Sequence, residues 1–128
     1  MNLLLDTCTF LWIVTDSSEL SDKAKEAFQD SRNRAYLSPV SAWEIALKHG
    51  LRRLTLSESP LEFVPTQRKL HGVDALPLDE DAALHLPKLP PIHRDPFDRM
   101  LVCQAIACGM TLVTPDPEIQ RYAVRTLW

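Results

Sequence analysis

His93-Arg94-Asp95-Pro96-Phe97-Asp98-Arg99-Met100 opens a stretch that continues through Leu101-Val102-Cys103-Gln104-Ala105-Ile106-Ala107-Cys108 to Gly109 and then into Met110-Thr111-Leu112-Val113-Thr114. It reads as a helix followed by a buried strand. Pro96 suits a first helical turn, where a missing N–H costs nothing, and Asp95 before it is a good N-cap. Leu101, Val102, Ala105 and Ile106 continue an apolar face, and Gly109 is a natural stop. The short apolar run after it has the length and composition of a strand buried on both faces.

The same alternation extends outward. Asn2-Leu3-Leu4-Leu5 is an apolar run bounded by Asp6, again the pattern of a buried strand. Thr7 is placed to cap a short helix carrying Phe10, Leu11, Ile13 and Val14. Ser21 caps an amphipathic helix from Asp22 to about Asp30, with Lys23, Lys25 and Glu26 on its solvated face. Arg34-Ala35-Tyr36-Leu37 is a second strand. Ser38-Pro39 starts a helix whose apolar residues are Val40, Trp43, Ile45 and Leu47, with Gly50 as its stop. Ser59-Pro60 opens a helix expected to break or bend near Pro65, and Gly72 closes it. Val73 to Leu78 is a third strand, Asp79 starts a short helix to about Leu86, and Val124 to Trp128 is a last strand. Pro87, Pro90 and Pro91 mark a rigid loop before His93. Strands alternating with helices argue for an α/β class, a parallel sheet covered on both faces, in one domain over residues 1–128.

That layout gives four acids a meaning. Asp6 and Asp116 follow strands, so both lie at the carboxyl edge of the sheet, where open α/β sheets bind ligands. An acid closing an apolar strand is costly unless used. Asp116, between Pro115 and Pro117, is also explained by a turn. Asp98 shares a helix N-terminus with Asp95, and capping accounts for only one of them. Glu44 lies in the second turn of its helix, between Trp43 and Ile45. It needs a partner there, either Lys48 four residues on or a metal. Carboxylates that converge repel one another unless a cation sits among them. All-oxygen ligation suits Mg²⁺ or Mn²⁺ rather than zinc. Acids holding Mg²⁺ and its waters are equipment for phosphodiester hydrolysis.

Composition narrows the partners. The formal net charge of −3 gives no global field favouring nucleic acid, so a polyanion substrate requires a local basic patch or bound metal. No apolar run is long enough for a bilayer, and Met1 to Leu5 has neither a basic n-region nor a cleavage pattern. Cys8, Cys103 and Cys108 lack metal-ligand spacing, and Cys103 and Cys108 face different directions on one helix. Free thiols in a reducing, cytoplasmic setting with no membrane partner are expected. There is no strong Ser-His-Asp or Cys-His arrangement, and three glycines leave no phosphate-binding loop.

Several segments together resemble a PIN domain, and within that group the VapC-type toxins of bacterial toxin–antitoxin pairs. They are Leu4-Leu5-Asp6-Thr7, Ser41-Ala42-Trp43-Glu44-Ile45-Ala46 with Lys48, His93 to Leu101 with Gln104-Ala105, Leu112-Val113-Thr114-Pro115-Asp116, and Leu127-Trp128. The resemblance runs nearly end to end. It implies a three-layer α/β/α sandwich with a central, mostly parallel five-stranded sheet, and Mg²⁺-dependent endoribonuclease activity with Mn²⁺ as a substitute. It also implies a homodimer, and inhibition by a cognate VapB-type or other small DNA-binding antitoxin. By matching position, Asp6, Glu44, Asp98 and Asp116 become the catalytic, metal-binding acids, Asp6 and Asp98 foremost. Asp95 and Thr114 take outer positions. Arg94, Arg99 and Thr7 are candidates for contact with RNA, with a structural ion pair an equal reading for each arginine. His93 reads as a loop-packing or supporting residue rather than a general acid. Pro115 departs from the basic or small residue usual before the last acid. Two other functions compete. A Mg²⁺-dependent phosphatase or receiver-like domain would use Asp6 as nucleophile, but Asp6-Thr7-Cys8 lacks the second nearby acid. A catalytically silent antitoxin-binding module would not need every acid that is present.

Overall fold

The computed structural model describes residues 1–128. Its five strands are β1 (Asn2–Leu5), β2 (Arg34–Leu37), β3 (Asp74–Ala75), β4 (Thr111–Val113) and β5 (Thr126–Leu127). They lie in the order β3-β2-β1-β4-β5, and every neighbouring pair is parallel. β1 is central, with Leu4 opposite Tyr36 on one side and Leu112 on the other. The chain builds outward through β2 and β3, then crosses β1 to add β4 and β5. The switch point of the sheet therefore lies between β1 and β4.

Six helices cover the sheet: α1 (Thr7–Val14), α2 (Asp22–Gln29), α3 (Pro39–Gly50), α4 (Pro60–Leu70), α5 (Glu80–Ala83) and α6 (Pro96–Cys108). Layering follows from the two-residue period of a strand. Leu4 and Leu112 point to one face, where Leu101, Val102 and Ala105 of α6 cover them with Ile119 and Tyr122. Leu3, Leu5 and Val113 point to the other, against Phe10, Ala24, Phe63 and Val64 from α1, α2 and α4. α3 serves both layers, with Val40 in the first cluster and Ile45 in the second. The result is the α/β/α sandwich, with a sheet that is wholly parallel.

Local sequence explains most helix ends. Ser21 caps α2 through Ala24 N–H, Ser38 caps α3 through Val40 N–H, and Pro39 and Pro96 occupy first turns. Gly109 takes the left-handed conformation (φ 64°) that ends α6. Other expectations are revised. Pro65 does not break α4: the carbonyl it leaves unpaired belongs to Leu61, which is 84% exposed, so water serves it. The third strand shrinks to Asp74–Ala75, and Pro77 then removes a donor from its continuation. The helix after Asp79 stops at Ala83, with a separate 3₁₀ turn at Leu86–Lys88. The last strand is only Thr126–Leu127. Gly50 lies inside α3, and Leu51 is its cap. Trp43 and Leu47 are 61% and 44% exposed, and α3 instead buries Val40, Ser41, Glu44 and Ile45. All three cysteines are free, Cys103 buried and Cys108 exposed. No helix is long and apolar enough to cross a membrane.

Candidate active site

Asp6 sits where β1 meets α1. Its backbone N–H donates to the Val113 carbonyl at 3.2 Å, which ties the end of β1 to β4. Its side chain, rather than that of Thr7, caps α1: Oδ1 accepts from Thr9 N–H at 2.8 Å. Thr7 is already helical, and its hydroxyl is turned to another task. It donates to Glu44 Oε1 at 2.6 Å, with the Ser41 hydroxyl 3.1 Å away. The other Glu44 oxygen accepts from Lys48, the partner expected one helical turn on. Glu44 is thus buried at 4% exposure with both oxygens served.

Asp98 comes from the N-terminus of α6. Asp95 is the cap, accepting from Phe97 N–H at 2.8 Å and Asp98 N–H at 3.2 Å, which leaves the Asp98 carboxylate free of capping duty. Asp116 does form the expected turn, with Oδ1 accepting from Glu118 N–H at 2.8 Å and its own N–H donating to Thr114 Oγ1 at 3.1 Å. Its Oδ2 lies 2.7 Å from His93 Nε2, which is also 3.2 Å from Asp98 Oδ2.

These elements enclose a cavity of about 360 Å³ lined by Asp6, Glu44, Asp95, Asp98 and Asp116, with Thr7, Cys8, Lys48 and Arg53 among the other walls. The electrostatics are those of crowded acids. Burial, with the charges of Asp95, Glu44 and Asp6, pushes the Asp98 carboxyl up to about 7, against the opposing pull of His93. Burial also raises Asp6, opposed by hydrogen bonds from Thr114, Thr9 and Cys8. Cys8 is raised by burial and by Asp6, so its thiol stays protonated. The Lys48 ammonium is raised chiefly by its hydrogen bond to Glu44. For His93, burial acts downward, but Asp116, Asp98 and Asp95 outweigh it and the imidazole is raised.

Such a donor set fits a hard divalent cation. Carboxylate oxygens from β1, α3, α6 and the turn after β4 face one cavity, and a cation among them relieves the repulsion that raises Asp98. The ligand atoms of His93, Asp98 and Asp116 alone lie within 4.8 Å of one another. Zinc is a poorer match, because the donors facing the cavity are mainly carboxylates rather than a histidine and thiolate set.

The four acids expected to act together, with Asp95, do line one cavity. Thr114 is buried against Asp116, and Thr7 supports Glu44. Arg94 and Arg99 are placed elsewhere, on an adjacent apolar groove with Trp43, Leu86 and Met100. Arg99 reaches only the Pro90 and His93 carbonyls, at 3.4 Å each. Sequence reading missed Arg53, which lines the acid cavity from an irregular loop that no periodicity marks. It also missed the contact of His93 with two acids, one of them 23 residues away.

Comparison with known proteins follows the same line. A family model described as PIN domain matches residues 3–125. Ribonuclease VapC16 of Mycobacterium tuberculosis is 30% identical over 69 residues, covering 54% of this chain and 49% of that protein. The chain thus spans about half the length of the curated relative it matches. The crystal structure of VapBC2 from Rickettsia felis bound to a promoter DNA fragment is similar at TM-score 0.69 and 14% identity, over 98% of this chain and 97% of that one. DNA-bound VapBC from Salmonella typhimurium is similar at TM-score 0.68 and 22% identity, over 98% and 96%. At these identities the structural likeness speaks for the fold alone.

Proposed function

The chain belongs to the PIN-domain family, and on that premise we propose that it is a Mg²⁺-dependent endoribonuclease, with Mn²⁺ able to substitute, acting as the toxin of a toxin–antitoxin pair. The observation that carries this reading is the convergence of Asp6, Glu44, Asp98 and Asp116 on one cavity at the carboxyl edge of the sheet. Support also comes from a relative named as a ribonuclease.

When bound, the cation supplies a water of lowered pKa and positive charge beside the transferring phosphorus. The chain does the rest. Asp6 and Asp98 hold the cation, while Glu44 and Asp116 complete the carboxylate set. Thr7 and Lys48 hold Glu44 fixed on the inward face of α3. Arg53, which makes no ion pair, draws a phosphodiester toward an otherwise acidic pocket. Arg94 and Arg99, in the adjoining groove, meet RNA that flanks the scissile bond. The exposed stripe Trp43, Leu47 and Leu51 on one face of α3 offers apolar area to protein partners: a VapB-type or other small DNA-binding antitoxin, and a second copy of the chain. Residues 1–128 act as one cytoplasmic domain.

The test is incubation of purified protein with RNA in Mg²⁺. Cleavage that stops with chelator and returns with added Mg²⁺ is expected, together with growth arrest on expression and its relief by an adjacent-gene DNA-binding protein. RNA left intact by folded protein at every Mg²⁺ concentration, with growth unaffected, contradicts the proposal.

A further inference from the structure

We propose that His93 is a positioning residue that clamps Asp116 and Asp98 into one carboxylate pair, so that the turn holds Asp116 Oδ1 while the imidazole fixes Oδ2 toward the site. The inference deepens the endoribonuclease reading and rests on it for its kinetic consequences.

His93 is held through its backbone and both ring nitrogens. The His93 backbone N–H donates to the Tyr122 hydroxyl at 2.7 Å, and Tyr122 is itself buried in the core at 4% exposure. The ring Nδ1 accepts from Asp95 N–H at 3.0 Å. That bond uses the Nδ1 lone pair, so in the neutral ring the proton is on Nε2. Nε2 then stands 2.7 Å from Asp116 Oδ2 and 3.2 Å from Asp98 Oδ2. One N–H lies between two carboxylates carried by different elements, the turn after β4 and the first turn of α6.

Asp116 depends on this contact. It sits between two prolines in a turn, its Oδ1 is occupied by Glu118 N–H at 2.8 Å, and its side chain is 29% exposed. No other side chain bonds Oδ2. With the ring gone, the charge of Asp98 repels Asp116 and solvent offers it an alternative. Asp98 needs less help, because it is anchored on a helix whose cap is intact.

The experiment compares wild type with His93→Ala, His93→Gln, Asp116→Asn and the His93→Ala/Asp116→Asn double variant. Mg²⁺ binding is read by calorimetry, RNA cleavage by kcat and KM, and the ring tautomer of metal-free wild type by ¹⁵N NMR at alkaline pH. His93→Ala is expected to weaken Mg²⁺ binding and lower kcat by about ten- to a hundredfold with little change in KM. His93→Gln, whose amide N–H reaches toward the same oxygens, recovers most of both. The double variant is no worse than His93→Ala, because Asp116 has already been lost from the site. The ring shows Nε2–H. The clamp is refuted by Mg²⁺ affinity unchanged in His93→Ala, by His93→Gln as weak as His93→Ala, by losses that multiply in the double variant, or by a proton on Nδ1. Should wild type cleave no RNA while Mg²⁺ binding still falls in His93→Ala and returns in His93→Gln, the endoribonuclease reading fails and the clamp stands.

Discussion

The Thr7 hydroxyl donates to Glu44 Oε1 at 2.6 Å across 37 residues of chain, joining the start of α1 to the inward face of α3. The bond is buried, and its acceptor is charged. Breaking it leaves a buried carboxylate with Lys48 alone, and Lys48 is 44% exposed.

Thr7→Val keeps the shape and removes that donor. A hydrogen bond to a charged group contributes about 1.5–3 kcal/mol, so a stability loss of roughly that size is expected in urea unfolding. Thr7→Ser retains the hydroxyl and most of the stability. Equal stability in the two variants would show that the bond contributes nothing.

Asp98 makes the metal-free protein sensitive to pH. Its carboxyl is raised from 3.8 to about 7, so between those values the native state binds more protons than the unfolded chain. The Asp98 contribution to stability without metal therefore falls as pH rises through that window and levels off above it. The raised pKa values of Asp6 and His93 act in the same direction. Asp98→Asn removes its share of the slope and stabilises the metal-free protein near pH 8, by on the order of 1–3 kcal/mol. Urea unfolding in chelator at about pH 5 and about pH 8 measures it. Wild-type stability that climbs with pH across this range would count against the crowded-acid site.

Mg²⁺ stabilises the same acids. Saturating cation is expected to raise the melting temperature by several degrees, since a ligand at a hundredfold excess over Kd contributes about 2.7 kcal/mol. Asp98→Asn loses most of that shift. Arg121→Ala keeps it and changes stability by less than about 0.5 kcal/mol, because the Arg121–Glu118 pair lies at the surface. A melting curve unmoved by millimolar Mg²⁺ would remove the case for a shared metal site.

The α3 stripe carries a prediction about assembly. Trp43, Leu47 and Leu51 recur one turn apart and are 61%, 44% and 55% exposed. Light scattering of the purified chain is expected to give a dimer mass, and Leu47→Glu a folded monomer. A monomer mass for wild type over a wide concentration range contradicts this.

Local features were legible in the sequence. The apolar runs of β1 and β2, the Ser21 and Ser38 caps, Pro96 and Gly109 each act through neighbouring residues, and their elements are where those signals put them. The acids were legible for the same reason, each standing at a strand end, a helix start or on an apolar helix. What escaped depends on distant partners. Residue type alone does not give the inward face of α3, since its apolar Trp43 and Leu47 are exposed. Its true inward stripe, Val40, Ser41, Glu44 and Ile45, includes two polar residues that become acceptable only through Thr7 and Lys48. Thr7 looked like a cap because nothing local reveals a glutamate 37 residues on. β3 lies at the sheet edge, where one strand alone fixes its length.

The most direct test is RNA cleavage in Mg²⁺ by purified, folded Asp6→Asn and Asp98→Asn. Asn keeps a side-chain oxygen to accept from Thr9 N–H, so α1 remains capped in the first variant, and the second leaves the Asp95 cap untouched. Removing charge from the reacting centre is expected to lower the rate by on the order of 10²-fold or more in each, with Arg121→Ala cleaving like wild type. Full activity in both Asn variants would contradict the account.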